Sequence, residues 1–395
     1  MRNIAEQIRY IGVDDLDLDL FENQYIVPEG MAYNSYLIDD EKIAVLDTVD
    51  ARAGEAWKAN LQEALDGREP DYLVIHHLEP DHSALAGWML ETFPGLKVVL
   101  GAKAVPMLGQ FLDSAPAADR LLVVKEGDVL PLGRHSLQFY AAPMVHWPEV
   151  MVSFCPEEGI LFSADAFGKF GALSKCGFWG DEDDDWACEG RRYYFNIVGK
   201  YGVQVQMLMK KLAPLPIKMI AALHGPVLRE DLGTYLNLYQ TWSTYGVETE
   251  GVFVAYASIH GGTAAAAEKL VDILKAKGCP KVAVSDLTRD DMAEAVEDAF
   301  RYDRLVLATT TYNAGIFPFM RDFVEHLVEH NYQNRTVGLV ENGSWAPMAA
   351  KGIRALFEKS KNIRFTETTV TLASALSDAS RAQLAALADE LCACP

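Results

Sequence analysis

The sequence predicts an α/β protein of two domains: a β-rich first domain with helices outside it, then an open five-stranded parallel sheet wound on both faces. Three observations carry this. The chain has 395 residues, where one domain takes roughly 150. Apolar runs of strand length crowd the first part of the chain without strict alternation with helices. Beyond Gly251, strands and helices alternate one for one, the pattern of a parallel sheet covered by helices. The boundary falls at 249–251, which gives domains 1–249 and 250–395.

In the first domain Ile43–Leu46, Tyr72–Ile75, Lys97–Leu100 and Ile160–Ser163 read as strands. Turn signals at Pro28-Glu29-Gly30 and Pro94-Gly95 separate some of them. Leu137–Ala141 and Val150–Phe154 flank a tight corner at His146-Trp147-Pro148. In the second domain Val252–Tyr256 is a strand, followed by a glycine turn and a helix over Thr263–Lys277. Strand Val282–Ser285 and a helix around Asp291–Phe300 come next, then strand Leu305–Thr309 and a helix near Phe319–His330. Val337–Val340 and Ile363–Val370 continue the series, and Ala379–Leu391 closes it as a helix.

Composition narrows the classes. Half the residues are hydrophobic and 23% charged, the balance of a globular protein. The net charge of -21 argues against nucleic acid and against anionic membranes, both of which are bound through Lys and Arg. Six cysteines are scattered, with only Cys392 and Cys394 close together, so no disulfide framework is expected. The start Met1–Glu6 lacks the apolar run of a signal peptide, and no segment approaches the ~18 apolar residues of a membrane span. A cytoplasmic protein is expected. The acidic run Asp181–Asp185 reads as a solvated loop, because adjacent carboxylates repel and do not converge.

The densest chemistry is His77-Leu78-Glu79-Pro80-Asp81-His82, directly after an apolar strand. Alternate residues of an extended chain share a side, so His77, Glu79 and Asp81 can converge on one cation. His146, Asp165 and His224 each close another apolar strand, where a rigid scaffold concentrates functional groups. His76 and His135 read as structural.

The order H-x-[EH]-x-D-H … H … D … H resembles the metallo-β-lactamase fold, whose zinc hydrolases carry histidine where Glu79 stands. With the second half, the chain resembles a flavodiiron protein over nearly its whole length. Gly30–Leu37, Glu41-Lys42, Arg191–Tyr194 and His224-Gly225-Pro226 support the likeness. The resemblance implies an αββα sandwich followed by a flavodoxin-like domain, with two non-haem irons. His77, Glu79 and His146 would hold one, Asp81 and His224 the other, with Asp165 between them and His82 turned away. Three carboxylates suit iron better than zinc. Of the tyrosines after Arg191-Arg192, Tyr194 is taken as the proton or hydrogen-bond donor, and its neighbour as packing.

The turn Ser258-Ile259-His260-Gly261-Gly262-Thr263 joins a strand to a helix and offers N–H groups and hydroxyls to a phosphate. Its spacing is neither G-x-G-x-x-G nor a Walker A loop, so a monophosphate such as that of FMN fits. Thr311-Tyr312-Asn313-Ala314-Gly315 and Asn342-Gly343-Ser344-Trp345 close the next strands, where flavodoxin-like folds hold the isoalloxazine ring. The resemblance then implies reduction of O2 to water, of NO to N2O, or both, with electrons passing through FMN. It also implies rubredoxin or a similar donor, and a head-to-tail homodimer or a dimer of dimers. The alternative is a zinc hydrolase of metallo-β-lactamase fold with an appended flavodoxin-like module.

Overall fold

In the computed structural model, which describes residues 2–112 and 115–393, the chain forms two compact units. The first is Met1–Tyr194 with Val203–Tyr239, and the second is Phe195–Gly202 with Gln240–Pro395. Cys394 and Met1 lie outside the described residues. The second unit therefore starts earlier than the strand at Thr249, and local bonding gives the reason. The buried Arg335 guanidinium donates to the carbonyls of Tyr245 (2.9 Å), Gly246 (2.8 Å), Phe300 (2.6 Å) and Tyr302 (2.7 Å). Phe195 stacks on Phe300 at 4.2 Å, and Asn196 donates to the Ala293 carbonyl.

The first unit is two sheets. One has seven strands in the order Arg2–Ala5, Ile8–Tyr10, Tyr36–Asp39, Ile43–Leu46, Tyr72–Val74, Lys97–Gly101, Leu121–Val124. The other has five, in the order Val129–Pro131, Ser136–Ala141, Met151–Cys155, Ile160–Phe162, Met219–Ala221. Tyr36, Ile38, Leu46 and Val74 of the first sheet share one core with Phe139, Met151 and Phe162 of the second. Short strands near the N-terminus, Arg2–Ala5 to Tyr25–Ile26, were not expected; their two- to four-residue lengths leave little pattern to read.

Asp40 ties the two sheets' connections together. It accepts from the backbone N–H of Glu41, Arg134 and His135 and from the His135 ring at 2.8 Å. Burial alone would raise its carboxyl, but these donors outweigh it and hold it at about 2. A depressed carboxyl stabilises the fold above its unfolded value and ceases to do so as pH falls through the folded one. Asp40→Ala is therefore expected to cost about 2 kcal/mol at neutral pH. In urea titrations the gap from the parent should close as pH approaches 2.

The acidic run does not behave as a solvated loop. Asp181 holds Arg229 through both oxygens at 2.8 Å. Asp183 pairs with the buried Lys169, and Glu182 accepts from the N–H groups of Phe178 and Trp179. Repulsion within the run is offset by cations from distant parts of the chain, which adjacency in sequence cannot reveal.

In the second unit the parallel strands run Val282–Asp286, Thr249–Ala257, Tyr302–Tyr312, Thr336–Asn342, Arg364–Leu372, with a short antiparallel strand Gly315–Ile316 added to the third. In chain order this is 2-1-3-4-5, the flavodoxin-like order. Helices Gly262–Ala276 and Asp378–Ala393 share an apolar core with the sheet. A helix at Ala349–Leu356 was missed. Its first turn is held by Thr311 and Glu341, which accept from the N–H groups of Met348, Ala349 and Ala350. Among the described residues no helix is long and apolar enough to cross a membrane.

Candidate functional site

Each metal-ligand candidate stands where a strand of the first unit has ended. His77 follows Tyr72–Val74, Asp165 follows Ile160–Phe162, and His224 follows Met219–Ala221. His146 lies in the connection between Ser136–Ala141 and Met151–Cys155. Two groups result, whose ligand atoms lie within 4.8 Å of one another: His77, Glu79, His146 and Asp165; and Asp81, His82 and His224.

Asp165 stands between the groups. Its Oδ2 is 3.4 Å from His77 Nε2 and 3.5 Å from His146 Nε2. Its Oδ1 is 3.2 Å from His82 Nε2 and 3.8 Å from His224 Nε2. Glu79 Oε2 lies 3.1 Å from both His77 and His146, and Asp81 Oδ2 lies 3.2 Å from His224. All six residues named from the sequence are thus brought together, in two sets that share one carboxylate.

The extended-chain argument explains only half of this. Glu79 is extended (φ -55°, ψ 139°), but Pro80 opens a helical turn, Pro80–Ser83. Asp81 and His82 are then neighbours on that turn and face the second group together. His82 differs from its expectation: its Nε2 points into the cluster, 3.3 Å from Asp81 and 3.2 Å from Asp165.

Electrostatics indicate a missing positive charge. Both oxygens of Asp81 and of Asp165, and both ring nitrogens of His82, are buried with no hydrogen-bond partner among the described residues. Carboxylates at this depth are costly unless bound to a cation or paired, and here the nearest partners of Asp81 and Asp165 are imidazoles at 3.2 Å. Burial alone would raise Glu79, yet hydrogen bonds from His146 and His77 hold it at about 2. Asp165 is pulled below the carboxylate range by His77 and His82, which overcome its burial. Burial would lower His82, but Asp81 and Asp165 carry it up to about 9. Protons on His77 and His82 thus supply charge that divalent or trivalent ions would otherwise bring. The donor set fits a pair of ions.

Outer residues hold the ligand loop in place. Asp47 accepts from the N–H and the ring Nδ1 of His76, whose Nε2 meets Ser153 Oγ at 2.7 Å. Thr48 donates to the His82 carbonyl through N–H and hydroxyl. Asn34 donates to the carbonyls of Ala222 and Gly225 on either side of His224. Gly225 has φ 73°, and a Cβ there would meet the Lys169 side chain at 2.5 Å. A cavity of about 420 Å³ lined by Phe21, Tyr33, Arg52, Glu79 and Asp81 opens on the ligands.

The two adjacent tyrosines have different surroundings. Tyr194 packs edge-on against Tyr239, 5.1 Å between centroids. Tyr193 faces the ligands, 5.6 Å from the His224 ring. Burial first, then Asp165, Asp81 and Glu79, keep its hydroxyl protonated well beyond the usual range. Two adjacent tyrosines on a helix point about 100° apart, and the sequence alone offered no phase to choose between them.

In the second unit the three sequence-chosen loops end neighbouring strands. Ser258 accepts from Gly261 N–H, and Gly261 has φ 85° before the helix that starts at Gly262. Ile259 and His260 are exposed in that turn, while Thr263 is buried and bonds Thr310 and Asn342. Tyr312 and Gly315 pair across a hairpin turn formed by Asn313 (φ 47°) and Ala314 (φ 57°). Ser344 meets Ser374 at 2.6 Å, and Trp345 beyond Gly343 is 92% exposed. The loop at Ser374 was missed; its N–H bonds Asn342 Oδ1 and its carbonyl accepts from Asn342 Nδ2. A helix N-terminus, hydroxyls and an exposed indole together can hold a phosphate and a planar ring.

Comparison with known proteins agrees with this geometry. Residues 31–225 match the family described as ODP family beta lactamase. The diflavin flavoprotein A 1 of Nostoc sp. is 31% identical over 86% of this chain. The anaerobic nitric oxide reductase flavorubredoxin of Escherichia coli is 27% identical over 87% of it. This chain spans 58% of the length of the former and 72% of the latter. The rubredoxin oxygen:oxidoreductase of Desulfovibrio gigas is similar in fold over 99% of this chain and 97% of its own, with TM-score 0.91 at 24% identity. The flavodiiron protein of Giardia intestinalis also reaches 0.91 at 24% identity, over 98% of this chain and 95% of its own. A metallo-β-lactamase-like domain joined to an α/β domain with a parallel sheet is thus the fold this chain shares with solved flavodiiron proteins, and its sequence is similar to those of a diflavin flavoprotein and a flavorubredoxin.

Proposed function

We propose that this chain is an oxidoreductase that reduces O2 to water, NO to N2O, or both. The site is a pair of irons held by His77, Glu79, Asp81, His146, Asp165 and His224, with electrons delivered through FMN. The observation that carries the reading is Asp165, whose two buried oxygens each face a separate ligand group. Glu79, in the place of a zinc hydrolase's histidine, brings the carboxylates to three and favours iron. Bound there, two ferrous ions supply two electrons and activate the gas, and reduced flavin supplies two more.

The chain's own groups do the remaining work. Glu79 and Asp81 hold negative charge on opposite sides of Asp165 and orient the imidazoles. Tyr193 keeps its proton and can donate a hydrogen bond to an oxygen atom at the site. The turn Ser258–Thr263 takes the FMN phosphate, and Thr311–Gly315 with Asn342–Trp345 flank its ring. Rubredoxin or a similar carrier delivers the electrons. A head-to-tail homodimer, or a dimer of dimers, in the cytoplasm completes the reading.

The test is steady-state reduction of O2 and of NO, side by side, with a metal and flavin count on the same sample. Iron near two per chain, bound FMN, and consumption of at least one gas are expected. Zinc in place of iron with neither gas consumed would overturn the proposal.

A further inference from the structure

The two ligand groups differ in what stands behind their histidines. His77 Nδ1 donates to Glu149 Oε1 at 2.9 Å, and the same oxygen accepts from Leu78 N–H at 3.0 Å. Glu149 is 5% exposed, and its Oε2 is buried without a hydrogen-bond partner among the described residues. His224 Nδ1 donates instead to a neutral acceptor, the Ala32 carbonyl, at 2.8 Å. His82 Nδ1 is buried with no partner among the described residues. Glu79 and Asp81 contribute one carboxylate to each group, and Asp165 serves both. The first group also has His146; behind the histidines themselves, the outer carboxylate is what sets the groups apart.

We propose that Glu149 is a positioning residue that fixes His77 through Nδ1 and makes the two metal positions electronically unequal. Hydrogen-bonded to Glu149, His77 carries its proton on Nδ1 and turns the Nε2 lone pair to the ion. The uncompensated charge behind the ring makes His77 the stronger donor of the two oriented imidazoles. It also disfavours adding an electron to the adjacent ion. The position at His77, Glu79 and His146 is therefore the last of the two to be reduced, and the electrons enter the pair in two resolved steps.

This rests on the reading of an iron pair, and the experiment separates the two. The parent protein is counted for iron, then titrated anaerobically with reductant while the half-reduced pair is followed by electron paramagnetic resonance. A parent without two irons sinks the reading itself. Given two irons, Glu149→Gln retains an acceptor for His77 and Leu78 but removes the charge. It is expected to keep both irons, raise the potential of the second step only, and shrink the maximum population of the half-reduced state. Glu149→Ala, which removes the acceptor as well, is expected to weaken one of the two irons about 10–100-fold and spare the other. Selective loss of one iron in Glu149→Gln would also support the proposal. Equal movement of both steps, no movement of either, loss of both irons together, or parent affinity in Glu149→Ala would each overturn it.

Discussion

Asp165→Asn is expected to leave a folded, flavin-binding chain that no longer holds an iron pair, with gas reduction at about a hundredth of the parent rate or less. Even outer partners of metal ligands cost about 10–100-fold when removed, and Asp165 faces both groups directly. The amide supplies one acceptor oxygen and places an NH2 group where the second ion needs a lone pair. Iron analysis, FMN absorbance and gas consumption on one preparation would check it. Two irons at the parent rate would remove Asp165 from the site. A second measurement uses the metal-free proteins. The Asp165 carboxyl is held below its ordinary range, so its contribution is present above its unfolded value and fades in acid. The metal-free variant should therefore melt below the metal-free parent at neutral pH, by about 3 kcal/mol for a broken buried pair. The two should converge in acid.

Gly262→Ala should do the converse, losing FMN while keeping iron. A Cβ at this position would stand 2.2 Å from the Ser374 carbonyl oxygen and 3.2 Å from Asn342 Nδ2. The first is backbone and cannot swing aside, so the loops that end the first, fourth and fifth strands of the sheet must part. Those loops carry the phosphate turn and Ser344. FMN affinity is expected to fall about a hundredfold, equivalent to about 2.7 kcal/mol, and turnover with an external donor should fall with it. Parent-level flavin occupancy after gel filtration would contradict the placement of the cofactor.

Much of the fold was visible in the sequence where pattern and length were strong. The second unit is the clearest case: its five parallel strands are five to eleven residues long and alternate with helices, and each was located within a few positions. The short helix Ala349–Leu356 escaped because its start is set by Thr311 and Glu341, side chains from other strands. The six candidate ligands stood out because His77, His146, Asp165 and His224 follow apolar runs, and Glu79 and Asp81 follow His77 at alternate positions. Their division into two groups came from the family resemblance alone, since residue spacing does not show Pro80 turning the chain from extended to helical. Glu149 stood three residues after His146, in view but unnoticed. Its role comes from a residue 72 positions away, and separations of that kind leave no local spacing to recognise.

The passage of Phe195–Gly202 into the second unit, between two segments of the first, bears on how such a protein can be taken apart. A module that begins and ends once can be moved to another gene by a single junction. Here the chain crosses between the units three times, so a fragment starting at residue 250 leaves behind Phe195, which stacks on Phe300, and Tyr245, whose carbonyl caps Arg335. A transplantable flavin module from this chain would have to start no later than Gln240 and bring a substitute for the missing Phe195 ring. Recombination at the strand boundary alone would yield a sheet with an open aromatic socket.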